Sequence, residues 1–246
     1  MNQFGNIIKS LPSVTKNLII INFIVWLAMM VMGRHDNSVF MRLFSLHYIE
    51  APDFNPAQLF TYMFMHSTTQ FSHLFFNMFT LFMFGVVLER MFGAKRFLFF
   101  YISCGFGAAL IQEGVWAFTL PAMIEKDLAI LNHTSVETIG QYLAANPDIM
   151  ANNLNIFTTV GASGAIYGTL LAFGMIFPNR PMYFLFIPVP IKAKWMITGF
   201  VVIELLMGLS VSTDGVAHFA HLGGMLIAFF IILYWKKKGI IHGGYY

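Results

Sequence analysis

Ser163 stands in Gly161-Ala162-Ser163-Gly164, near the start of an apolar run from Val160 to Phe177. His221 stands in Ala217-His218-Phe219-Ala220-His221-Leu222-Gly223-Gly224, at the start of another. Polar and ionisable side chains are costly inside apolar spans and mark functional sites there. A hydroxyl and an imidazole brought together are a nucleophile and its base: the neutral ring takes the serine proton and returns it to a leaving amine, as amide hydrolysis requires. Glycine on either side leaves the Ser163 hydroxyl uncrowded. Each residue also has a plainer explanation. Ser163, with Gly164 and Gly168 beside it, suits close packing of membrane helices, and His221 suits a buried, hydrogen-bonded ring. His218, one turn before His221, competes for the role of base.

Other residues extend the chemistry. His73 and Asn77 are four apart and share a helix face; both can donate hydrogen bonds, as stabilisers of an oxyanion must, or can clamp two helices together. Tyr167 lies at i+4 from Ser163, where its ring either fills the core or supports the face of His221. His66 supports its loop or faces water. Glu89 reads as an interfacial residue near Arg90. Glu113 and Glu204 lie in or near apolar spans with no partner identifiable from sequence. Asp214 falls in a short connection, so a Ser-His dyad is expected rather than a triad. No cofactor or metal is expected. A transporter or metal protein using His66, His73, His218 and His221 is disfavoured, because no carboxylate joins them at ligand spacing and the sequence H-E-x-x-H is absent.

The elements that position these groups follow from composition. With 58% hydrophobic and 10% charged residues, the chain is an integral membrane protein. A lone cysteine, Cys104, excludes a disulfide framework, and the basic residues sit in short clusters beside apolar runs, which is topology and not nucleic-acid binding. About 20 apolar residues cross the bilayer, and six stretches approach that length: approximately 17–33, 71–88, 97–118, 157–177, 195–212 and 216–235. A single all-α polytopic domain over 1–246 is expected. The first stretch follows Lys9 and Lys16 and lacks a small-residue cleavage site, so it reads as a retained signal anchor. Residues 34–70 form a long outer loop lying on the bilayer surface. Residues 119–156 form another, containing a short amphipathic helix begun by Ser135. Four prolines make 178–194 irregular.

Lys9, Lys16, Arg90, Lys95, Arg96, Arg180, Lys192, Lys194 and Lys236 to Lys238 fall on one side, against Arg34, Arg42 and Lys126 on the other. Both termini are therefore expected in the cytoplasm. The second, fourth and sixth spans then descend from the outer side, so Ser163, His221 and His73 begin at one depth, within roughly 10 Å of the outer boundary at 1.5 Å per residue.

In this order and topology the motifs resemble the rhomboid family of intramembrane serine proteases. Gly161 to Gly168 is similar to the family's nucleophile motif on the fourth helix, Ala220 to Gly224 to its histidine motif on the sixth, and His73-x-x-x-Asn77 to its second-helix pair. Pro56 to His66 and Gly85 to Phe97 resemble the flanking segments. The resemblance departs at two places: the Trp-Arg pair of the first outer loop is absent, and 119–156 is longer. It implies a six-transmembrane-helix bundle in which Ser163 is nucleophile and His221 general base. His73, Asn77 and the Ser163 backbone N–H would stabilise the oxyanion, Tyr167 would support His221, and Gly161 would give substrate access. It implies substrates that are single-span membrane proteins, an inner (plasma) membrane location, a site open to the outer side and no cofactor. Oligomeric state is not specified. The alternative is a catalytically inactive relative that binds client membrane helices.

Overall fold

The computed structural model describes residues 10–32, 39–184, 187–210 and 216–241. Ten helices are named here in chain order: α1 (Ser13–Met32), α2 (Val39–Phe44), α3 (Gln58–Thr61), α4 (Phe71–Phe92), α5 (Ala94–Leu131), α6 (Val136–Ala145), α7 (Pro147–Leu154), α8 (Ser163–Ile176), α9 (Ala193–Leu209) and α10 (His218–Lys237). Among them α1, α4, α5 and α10 are long and apolar enough to cross a bilayer, and α8 is a shorter apolar helix. This is a polytopic helical membrane fold.

Two buried contacts explain how the helices meet. At the N-terminal turn of α1 the Val14 and Thr15 amides donate to the Glu89 carboxylate at 2.9 and 2.7 Å, and the Thr15 hydroxyl donates to it at 2.8 Å. Glu89, expected at the interface beside Arg90, is thus a buried cap supplied by another helix. At the centre α8 packs along α10, and both lie against α5. A Cβ on Gly224 would collide with the Gly164 carbonyl oxygen, so the α8–α10 approach exists because neither helix carries a side chain where they cross.

Three stretches differ from the sequence-based expectation. α5 does not stop near 118 but runs on to Leu131, 38 residues in all. Pro121 gives up one backbone bond without ending it, because Leu120, Ile124 and Ala129 continue a buried face against Ile139 and Leu143 of α6 and Leu154 of α7. The expected amphipathic helix is α6, its N-terminus capped by the Ser135 hydroxyl, which accepts from the Thr138 amide at 3.1 Å. Second, within 178–194, expected to be irregular, β3 (Pro181–Phe184) and β4 (Ile187–Lys192) pair as an antiparallel ribbon, with Pro181 opposite Lys192. Both strands are edges, where proline is tolerated.

Third, the stretch before α4, expected only to lie against the bilayer surface, also sends side chains into the bundle. Leu46, Tyr62, Met63 and Met65 are buried. β1 (Leu46–His47) pairs antiparallel with β2 (Thr158–Thr159), and the Tyr62 hydroxyl donates to the Gly105 carbonyl at 2.7 Å. The helix in the stretch expected as the fourth span is shorter accordingly. It begins at Ser163, with β2 and a turn before it where helix was expected. Fourteen residues rise about 21 Å against about 30 Å of hydrocarbon, so α8 alone is shorter than the hydrocarbon is thick, and a crossing there would need non-helical backbone within it. Non-helical backbone at that depth must be covered by protein. Here β1 covers it, and the Gly161 amide donates to the Tyr62 carbonyl at 3.0 Å.

Candidate active site

Ser163 is the first residue of α8, so its own N–H and those of Gly164 and Ala165 have no partner within the helix. His221 lies in the first turn of α10. The Gly164–Gly224 crossing draws the two turns together, and the Ser163 hydroxyl meets His221 Nε2 at 2.8 Å. Tyr167, one turn below Ser163, stacks on the His221 ring with centroids 4.2 Å apart and planes 8° from parallel. His221 therefore has a fixed plane and a fixed partner.

His73 and Asn77 face the same cavity from α4. Its volume is about 700 Å³, and Ser163, Tyr167 and His221 line it too. Asn77 Nδ2 donates to the His73 carbonyl at 2.7 Å, leaving its second N–H uncommitted. His73 Nδ1 accepts from the Ser67 amide at 3.4 Å, which puts the ring proton on Nε2. That nitrogen points at Gly161: a Cβ there would stand 2.9 Å from His73 Nε2 and 3.6 Å from the Ser163 hydroxyl. Gly161 has φ +130°, a conformation that favours glycine. The absent side chain is the open space between a nucleophile and a donor, the arrangement a tetrahedral oxyanion needs.

His66 does not face water. It is fully buried, with its ring 5.1 Å from that of His73. Burial, and secondarily the neighbouring His73, pushes its pKa down to about 3, so the ring is neutral.

The residue that sequence reasoning left without a role is Glu204 of α9. Its Oε2 lies 2.9 Å from His221 Nδ1 and 2.7 Å from His218 Nδ1, and the Tyr167 hydroxyl faces the same carboxylate as a further donor. His218 is thereby held by Glu204, while His221 alone of the two reaches Ser163. A carboxylate midway along an otherwise apolar helix was the available signal; its partners, on two other helices, were not. The reason given against a metal protein also falls, since Glu204, His218 and His221 have ligand atoms within 4.8 Å of one another. His66 and His73 form a separate pair, so the four histidines do not converge. Glu113 receives the Ile49 amide at 2.9 Å, and Asp214 lies outside the described residues.

Comparison with known proteins agrees with this architecture. Residues 54–238 match the Rhomboid domain. The chain is 28% identical over 173 residues to Rhomboid protease AarA of Providencia stuartii, an alignment covering 67% of this chain and 50% of that protein. The chain thus spans about half the length of that relative. The chain belongs to the rhomboid family of integral membrane proteins.

Proposed function

We propose that this protein is an intramembrane serine endopeptidase that cuts peptide bonds in or near the spans of membrane proteins through Ser163 and His221. The observation that carries this reading is the 2.8 Å hydrogen bond between the Ser163 hydroxyl and His221 Nε2, at the edge of a cavity that His73 and Asn77 also line. His221 Nε2 takes the hydroxyl proton as Ser163 Oγ bonds to the scissile carbonyl carbon. The carbonyl oxygen becomes an oxyanion held by His73 Nε2–H, the second Asn77 N–H and the Ser163 backbone N–H. Collapse breaks the C–N bond, and the imidazolium gives its proton to the leaving amine. Water admitted from the polar mouth, near Ser67, Gln70 and Ser72, repeats the sequence on the acyl-enzyme with the same base. Tyr167 keeps the His221 plane, and no cofactor enters any step.

The substrates proposed are single-span membrane proteins. The location proposed from family membership is a bacterial inner membrane, and the charge asymmetry of the connections supports both termini in the cytoplasm with the cavity open to the outer side. An inactive client-binding relative would have no need of an intact Ser163–His221 contact. Purified protein should cleave a single-span substrate and be labelled by an activated serine-directed phosphonate. Both activities should disappear in Ser163→Ala; cleavage that persists in that variant overturns the nucleophile.

A further inference from the structure

Glu204 has a polar environment unlike anything else on its helix. Val202, Ile203, Leu205, Leu206 and Leu209 around it are exposed apolar side chains on the outside of the protein. Beyond Ile197, Glu204 is the one buried residue of α9. Its carboxylate is approached by His221 Nδ1, His218 Nδ1 and the Tyr167 hydroxyl. A carboxylate is acceptor-only and takes three donors without strain, whereas a protonated acid would set its own hydrogen against one of them. Both histidines are therefore protonated at Nδ1. For His221 this leaves Nε2 as a lone pair aimed at the Ser163 hydroxyl, the tautomer a general base requires.

We infer that Glu204 completes a Ser163–His221–Glu204 triad spread over three helices, as a positioning residue that fixes the His221 tautomer and balances the imidazolium formed during turnover. The inference rests on the proposed peptidase reading and deepens it. No proton passes to Glu204: the Ser163 proton moves to Nε2 and on to the leaving amine, while Nδ1–H stays on His221 throughout. His218 Nδ1 holds the same oxygen, Oε2, so Glu204 cannot swing away from His221 without giving up a second hydrogen bond. The third member arrives from α9, which also meets the bundle where Phe200 lies against Tyr167 and where Gly208 lies beside His218 and Phe219. The base is thus set only while α9 is docked.

The test compares wild type, Ser163→Ala and Glu204→Gln in detergent or bilayer discs, with folding checked by thermal unfolding. Glutamine keeps the shape and loses the charge, and its amide can present N–H to Nδ1 and invert the tautomer. The expected result is a fall in kcat of about 10²–10⁴-fold, with KM within a few fold and slower phosphonate labelling of Ser163. Nitrogen-15 NMR of histidine-labelled Ser163→Ala protein should show His221 protonated at Nδ1. That measurement serves even if Glu204→Gln does not fold. Wild-type kcat in folded Glu204→Gln, or a His221 found with its proton on Nε2 or a metal on Nδ1, overturns the triad. Absence of cleavage and labelling in wild type would instead overturn the peptidase reading, so the two failures are separable.

Discussion

The space left by Gly161 matters as much as the groups around it. Adding one methyl there places a carbon 2.9 Å from His73 Nε2 in a backbone conformation that L residues rarely adopt. Gly161→Ala should therefore reduce kcat by at least about 10²-fold, the scale of losing one oxyanion donor. Steady-state cleavage together with phosphonate labelling would check it, and unchanged values would mean the oxyanion does not sit between Ser163 and His73. Asn77→Ala should lie nearer the mild end of about 10²–10³-fold in kcat, because His73 Nε2–H and the Ser163 N–H remain. An Asn77→Ala enzyme with wild-type kcat would reassign Asn77 to packing, through its bond to the His73 carbonyl.

Between elements, the decisive contact is α8 on α10. The collision awaiting a Cβ at Gly224 is with the backbone oxygen of Gly164, which no side-chain rotation relieves. Gly224→Ala should push the helices apart, destabilise the fold by about 1–3 kcal/mol and lengthen the Ser163–His221 contact. A lowered unfolding temperature in detergent, accompanied by weaker labelling of Ser163, is the expected pair of results. Weaker stability with full labelling would show that the site tolerates the separation. Lys236 closes the opposite end of the same pair, its ammonium donating to the Met175 carbonyl at 2.7 Å in the last turn of α8.

For the whole molecule, the prediction concerns which way it sits in the membrane. Cysteines introduced at Thr134 and Lys238, in a Cys104→Ala background, place one probe beyond α5 and one at the end of α10. An impermeant thiol reagent should label Thr134→Cys in intact cells and Lys238→Cys only after permeabilisation. The reverse pattern would invert the proposed orientation and turn the cavity toward the cytoplasm.

Apolar run length and the spacing of Lys and Arg determined that this chain is a helical membrane protein, and the positions of Ser163, His221, His73 and Asn77 at the heads of alternate runs were legible because helical rise alone converts sequence offset into depth. Those are local quantities. The length of α5 and the insertion of Leu46 and Tyr62 were not legible, because packing against distant residues decides them, and the pairing of β3 with β4 was not, because prolines signal breakage while edge strands tolerate them. Glu89 and Glu204 were seen but left without their partners for the same reason: a buried carboxylate takes its meaning from its donors, and those sit on α1 in one case and on α8 and α10 in the other. Which of His218 and His221 meets Ser163 was likewise open in the sequence, since a one-turn offset gives both the same face. Only the tertiary structure chose between them, by bringing Gly224 against Gly164 and holding His218 on Glu204.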